Sequence, residues 1–176
     1  MKKSKQRIIA IVLLIALALW IVISVIPKGT SGRSSDRQVA PSKAEPPFTK
    51  EAELAILDTS GTDVLMNLDI ELAESVAEIQ YGMMYRKSMD RNMGMLFIMG
   101  SEAPRSFYMK NTYVPLDIIF INDDMKIVSI QKNAKPLDET SLPSEGPASL
   151  VLEVKGGLSD ELGLVKGQKI RWNRLH

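Results

Sequence analysis

From residue 48 onward, apolar and polar positions alternate with the two-residue period of β-strands. Segments 53–58 and 64–72 flank Ser60-Gly61-Thr62-Asp63, and this turn-forming sequence predicts a hairpin. Asn122-Asp123-Asp124 joins segments 117–121 and 126–130 in the same way and predicts a second hairpin. The same alternation predicts further strands at 94–97, 104–111, 149–154 and 168–172.

Two segments break this alternation and have helical spacing instead. Ser75-x-x-Glu78 is a capping-box pattern that predicts a helix over 75–84, and 158–162 is typical of a second, shorter helix. About seven short strands with one or two helices predict a mainly β (α+β) domain. We expect a small β-barrel or rolled sheet.

The first 47 residues have a different pattern. Residues 1–7 are basic, and residues 8–26 are apolar without a single charge. As a helix, such a run spans about 28 Å, close to the thickness of a bilayer core. The run is long for a cleaved signal peptide and has no good cleavage site after it, so we favour an uncleaved transmembrane signal anchor. Residues 27–47, rich in Pro, Gly and Ser, are typical of a flexible linker.

The distribution of charge sets the expected topology and excludes one class of partner. The bases before the apolar run favour a cytoplasmic N-terminus, which places residues 48–176 on the extracytoplasmic side of the cell membrane. Those residues carry 14 Lys and Arg against 19 Asp and Glu. A domain with this acidic balance is a poor binder of nucleic acid, because phosphate contacts require a basic face.

The scarcity of cysteine and histidine excludes several catalytic chemistries. The chain has no cysteine, and its single histidine is the last residue, His176. Disulfides, thiolate zinc sites, thiol nucleophiles and histidine-based triads are therefore not expected. We expect no cofactor and no metal, and no catalytic residue can be named.

Three stretches combine polar side chains with turn residues. They are Gly82-Met83-Met84-Tyr85-Arg86 followed by Gly94-Met95-Leu96-Phe97, then Arg105 to Thr112 with Pro115-Leu116-Asp117-Ile118, and finally Leu152-Glu153-Val154. Alternation along the second stretch places Ser106, Tyr108 and Lys110 on one face, and Lys110-Asn111-Thr112 falls at a predicted strand end.

The order of these motifs resembles the bacterial and archaeal family called domain of unknown function 192, over roughly residues 65–170. The resemblance implies a small β-rich domain, often exported or membrane-anchored, and no established activity. Tyr85 and Tyr108 stand where the family often has Phe and Trp. The positions that match the family motif are Gly82, Met84, Arg86, Gly94, Met95, Met109, Lys110, Asn111, Pro115, Asp117 and Glu153.

The polar groups of these stretches suit a polyhydroxylated or anionic ligand. We therefore expect a binding or accessory module for a carbohydrate-like or anionic component of the cell envelope. The candidate ligand-binding residues are Arg86, Ser106, Tyr108, Lys110, Asn111, Thr112, Asp117 and Glu153. For Asp117 a structural ion pair with Arg86 or Lys110 is the alternative, and Glu153 has the same alternative of a purely structural role.

Two other functions remain open. A carboxylate-dependent hydrolase of envelope polysaccharide would need two opposed acids from Asp69, Glu71, Asp117 and Glu153. A copper(I) site would need thioethers, and Met89, Met93 and Met99 flank loops where they could converge. Packing in the core is the more ordinary role for these methionines.

Overall fold

The alternating segments form nine strands and two short helices in the computed structural model, which describes residues 45–175. In chain order they are β1 (Ala52–Leu57), β2 (Val64–Ala73), α1 (Val76–Tyr81), β3 (Met93–Ala103), β4 (Ser106–Phe107), β5 (Leu116–Ile121), β6 (Ile127–Ala134), β7 (Leu142–Pro143), β8 (Ala148–Lys155), α2 (Leu158–Glu161) and β9 (Ile170–Arg174).

Seven of these strands form one mixed sheet in the order β6-β5-β8-β3-β2-β1-β9. Both predicted hairpins are present, as the antiparallel pairs β1–β2 and β5–β6. The neighbours β2 and β3 are parallel, because the chain crosses over through α1 before it returns to the sheet. β4 and β7 form a separate two-stranded sheet.

The sheet does not close, so the β-barrel alternative is wrong. Closure would require the edge strands β6 and β9 to pair along their length. Within the described part of the chain they approach only near their first residues, through an isolated bridge between Lys126 and Lys169. Ile127 N–H donates to Gln168 O at 2.8 Å beside that bridge.

Both faces of the sheet are covered, which explains why every residue of β5 and all but the last residue of β8 are buried. The first core lies on one face and includes Leu54, Ile56, Leu68, Ile70, Leu96, Ile119 and Leu152. The second core lies on the other face and includes Met83, Met95, Phe97, Met109, Ile118, Phe120 and Val151.

Several element boundaries differ from the sequence prediction, and the predicted strand at 94–97 extends to Ala103 as β3. The helix at Ser75 has the predicted capping box, with Glu78 N–H donating to Ser75 Oγ at 3.2 Å, but it ends at Tyr81 because Gly82 has a φ of 47°. The predicted strand at 104–111 is reduced to β4. After it, Met109 N–H donates to Asp138 O and Asn111 has a φ of 54°, so the backbone turns away from a strand path.

The predicted basic N-terminus (1–7), signal anchor (8–26) and most of the linker (27–47) lie outside the described residues. In residues 45–175, no helix is both long enough and apolar enough to cross a bilayer. The described chain begins at Glu45, whose carboxylate accepts a hydrogen bond from Lys87 N–H at 2.8 Å. That hydrogen bond holds the pKa of the Glu45 carboxyl below its usual value.

Candidate functional site

Four of the eight candidate residues line one cavity of about 200 Å³ on the second-core side of the sheet. We call it the Glu153 cavity. The four are Ser106, Tyr108, Thr112 and Glu153. The rest of the wall consists of residues outside the candidate set and includes Ile79, Gly82, Met83, Met84, Phe97, Met99 and Phe107.

Glu153 is the buried acid of this cavity. It lies in the middle of β8, opposite Met95 of β3 and Ile118 of β5, and its side chain is 5% exposed. Its Oε2 has no hydrogen-bond partner among the described residues. Burial raises the pKa of the Glu153 carboxyl to about 8. At neutral pH the group is therefore mostly a protonated acid, able to donate a hydrogen bond into the cavity.

Gly82 allows the turn after α1 to lie directly over this acid. A Cβ at position 82 would stand 3.1 Å from Phe97 Cζ and 3.8 Å from Glu153 Oε2. Its φ of 47° is in the left-handed region that favours glycine. The close backbone approach that Gly82 permits is therefore to the wall of the Glu153 cavity.

Asp117 does not belong to this cavity, and the prediction that it pairs with Arg86 or Lys110 is wrong. Its carboxylate is fully buried and accepts three backbone hydrogen bonds, from Asn133 N–H at 2.8 Å, Gly157 N–H at 3.0 Å and Ser159 N–H at 2.7 Å. Asp117 therefore joins β5 to the end of β6 and to the first turn of α2, where helical amides lack intrahelical acceptors.

Arg86 also has a partner that the sequence did not indicate. Its Nη2 lies 2.5 Å from Glu71 Oε2, and both side chains are less than a tenth exposed. Glu71 Oε1 accepts a further hydrogen bond from Thr49 N–H at 2.9 Å. The Nε of Arg86 is buried without a hydrogen-bond partner in the described part of the chain.

Lys110 and Asn111 lie outside the Glu153 cavity. Lys110 is exposed, and within residues 45–175 it forms no ion pair. Asn111 joins two loops, since its Nδ2 donates to Tyr85 Oη at 3.1 Å and its carbonyl accepts from Tyr85 N–H at 2.8 Å. The polar residues of the Lys110-Asn111-Thr112 run are thus divided, and only Thr112 lines the cavity.

The four acids considered for a hydrolase do not form an opposed pair in this cavity. Asp69 contacts Lys50 at 2.7 Å, Glu71 pairs with Arg86, and Asp117 is saturated by backbone amides. Among the described residues that line the Glu153 cavity, Glu153 is the single carboxyl group.

The methionines lie mostly in the second core. Met83, Met89, Met95 and Met109 are all less than a tenth exposed and belong to it, as core packing predicts. The three methionines predicted to be able to converge are separated, because Met89 and Met93 line one cavity and Met99 lines another. Residues 45–175 contain no group of three or more His, Asp or Glu side chains placed to hold a metal ion.

Fold and site together define a small mixed-sheet domain in which a buried acid, Glu153, lines a cavity without a hydrogen-bond partner among the described residues. The sequence profile of domain of unknown function 192 (DUF192), described as "Uncharacterized ACR", matches residues 55–172, and the chain belongs to this family. The resemblance noted in the sequence is thereby confirmed.

Two solved structures are similar to this chain. One is a protein of unknown function from Novosphingobium aromaticivorans DSM 12444, 39% identical with a TM-score of 0.64, covering 68% of this chain and 84% of that one. The other, from Sinorhizobium meliloti 1021, is described by its authors as a proposed transcription regulator. It is 34% identical with a TM-score of 0.66, covering 72% of this chain and 98% of that one. No curated protein matches the chain.

Proposed function

We propose that this protein is a membrane-tethered, extracytoplasmic binding module whose Glu153 cavity holds an uncharged, carbohydrate-like group of the cell envelope. The observation that carries the proposal is the buried carboxyl group of Glu153, which lines a cavity and has no partner among the described residues. A buried polar group without a partner is costly to the fold, so a ligand that supplies the partner binds with a gain.

The chemistry of the wall supports this choice of ligand. The protonated Glu153 can donate to a sugar oxygen, and the hydroxyl of Tyr108 also lines the cavity. Ser106 Oγ shares a hydrogen bond with Ser141 Oγ and Thr112 Oγ1 donates to Lys110 O, and both oxygens can still accept from sugar hydroxyls. Phe107 packs edge-on against the buried Phe97, with ring centroids 5.1 Å apart, and its partly exposed ring offers apolar surface for the C–H face of a sugar.

An anionic ligand, the other choice that the sequence left open, has less support. Neither Lys110 nor Arg86 lines the Glu153 cavity, so the described residues that line it include no cation to balance a bound anion. Deprotonation of Glu153 would add a like charge. A regulator role like that proposed for the Sinorhizobium protein is not carried over, because residues 48–176 hold more acids than bases.

A sugar-binding experiment with matched variants tests the proposal. The full chain in detergent micelles is titrated at pH 6.5 with glucose and N-acetylglucosamine by calorimetry, with galacturonate as the anionic comparison. We expect Glu153→Met to weaken binding of the neutral sugars about tenfold, since the donor is lost. Glu153→Gln retains a neutral donor and should bind within about threefold of the wild type. Glu139→Met, at an exposed acid, is the matched control.

Two results would overturn the binding proposal: no heat of binding with either neutral sugar, or equal affinity in Glu153→Met and the wild type. Tighter binding of galacturonate than of glucose would contradict the choice of an uncharged ligand.

A thioether site is a second candidate, because Met83, Met84 and Met99 line the same cavity. Sulfur ligands of this type select copper(I) outside the cytoplasm. Titration with copper(I) alone distinguishes the two functions. We expect no stoichiometric binding that depends on Met99, and one equivalent bound by the wild type but lost in Met99→Leu would favour the metal site.

A further inference from the structure

A second cavity, of about 460 Å³, adjoins the Glu153 cavity at Tyr81 and Gly82, which line both. We call it the Ala77 cavity. Its wall is formed partly by small or apolar side chains, namely Leu72, Ala73, Ala77 and Met95.

Helix α1 separates the two cavities. Ala77, Glu78 and Tyr81 line the Ala77 cavity, whereas Ile79 and its neighbour Gln80 line the Glu153 cavity. These two sets occupy different sides of a helix of 3.6 residues per turn. None of the residues of α1 is buried, so the helix lies at the surface with one cavity on each side of its C-terminal end.

The Ala77 cavity also contains a buried donor without an acceptor. Arg86 lines it and is 7% exposed, and its Nε has no hydrogen-bond partner in the described part of the chain. The acids of the same wall are already engaged: Glu71 pairs with Arg86, Glu51 accepts from Leu72 N–H at 2.8 Å, and Glu78 closes the capping box of α1. Arg86 Nε is therefore an unused donor at this cavity, and Glu71 Oε2, the ion-pair partner of Arg86, is a buried acceptor without a hydrogen bond among the described residues.

We propose that the Ala77 cavity is a second subsite for the same ligand, so that the protein binds a linear oligosaccharide of at least two units. This second subsite rests on the proposed function, which assigns the first sugar unit to the Glu153 cavity. The guanidinium group of Arg86 donates to an oxygen of the second unit, and Tyr81 contributes an aromatic surface where the two units meet. Joining two subsites in one ligand raises affinity without new protein groups.

A chain-length series tests the inference. The full chain in detergent micelles is titrated by calorimetry with N-acetylglucosamine and with its β-1,4-linked disaccharide. We expect the disaccharide to bind at least tenfold more tightly. Ala77→Tyr fills the second cavity from an exposed helix position and should abolish that gain, while the monosaccharide affinity stays within about threefold. Val76→Tyr is the control, since Val76 is 74% exposed on the same helix and lines neither cavity.

The failure of this inference can be distinguished from failure of the proposed function. Monosaccharide binding with an equal affinity for the disaccharide would overturn the second subsite and leave the first in place. Equal weakening of both sugars by Ala77→Tyr would also overturn it, because the substitution would then act through the whole of α1. The absence of binding by both sugars would refute the proposed function itself.

Discussion

Replacement of Glu153 by Gln should change how the stability of the protein depends on pH. The native carboxyl has a pKa of about 8, against 4.5 for an ordinary glutamate. Between these pH values the folded chain holds a proton that the unfolded chain has released. Stability of the wild type therefore falls as pH rises through this window, by about 1.4 kcal/mol for each pH unit, and levels off above the folded pKa.

The Gln side chain has the same size and carries no proton equilibrium, so the Glu153→Gln variant should lack this slope. The two proteins should have similar unfolding free energies near pH 4.5, and the variant should be more stable near pH 9 by on the order of 4 kcal/mol. Urea unfolding at pH 5, 6, 7, 8 and 9, followed by circular dichroism, measures the difference. Glu139→Gln, at an exposed acid, controls for the loss of one charge.

Parallel pH profiles for Glu153→Gln and the wild type would refute the reasoning. They would mean that the carboxyl of Glu153 ionises at an ordinary pH in the folded chain, which requires water or a partner within the cavity. The same pKa bears on function, because a ligand that accepts a hydrogen bond from the protonated acid should bind less tightly above pH 8.

Four further substitutions test other parts of the structure, and one experiment tests the topology. Asp117→Ala leaves three backbone amides without an acceptor and should lower the free energy of urea unfolding by roughly 2–4 kcal/mol, whereas a loss below about 0.5 kcal/mol would contradict its structural role. Lys110→Met, at an exposed position, should change the thermal midpoint little, and melting as early as Asp117→Ala would show that Lys110 has an undetected structural partner. Arg86→Met leaves the buried Glu71 without its cation and should lower the free energy of unfolding by about 3–5 kcal/mol. Adding Glu71→Leu to the same chain should restore most of this loss, and equal stability of the single and double variants would contradict the buried pair. Protease added to spheroplasts should digest residues 48–176 and leave a membrane-bound stub that contains 8–26, and protection of the domain would refute the extracytoplasmic location.

The local elements could be predicted from the sequence because short-range patterns determine them. The turn sequences at 60–63 and 122–124 indicate hairpins, and the capping box at Ser75 indicates the start of α1. The order of strands could not be predicted in the same way. The inner strand β8 pairs with β3 and β5, which lie tens of residues earlier in the chain, and no local pattern encodes that choice.

The composition of the site was predictable only in part, for the same reason. Alternation along β8 shows that Glu153 lies on the face opposite Leu152 and Val154, but it does not show which residues cover that face. Phe97 and Gly82 reach it from segments more than fifty residues away, through the pairing of β3 with β8 and the turn after α1. Lys110 was predicted to bind a ligand because polar residues surround it in the sequence, yet the turn at Asn111 leaves it exposed and outside the cavity.

Asp117 and Glu153 show why backbone amides bind one buried acid and leave the other without a partner among the described residues. Both lie in mainly apolar strands, and for both the sequence leaves a structural role open as the alternative to ligand binding. Asp117 is the second residue of β5, beside loops and the start of α2, where amides outside the sheet ladder need acceptors. Glu153 lies inside β8 between two paired strands, where the neighbouring amides already bond within the sheet. No amide is left in that position to stabilise a carboxylate, so burial raises the pKa of Glu153 and the acid stays mostly protonated at neutral pH.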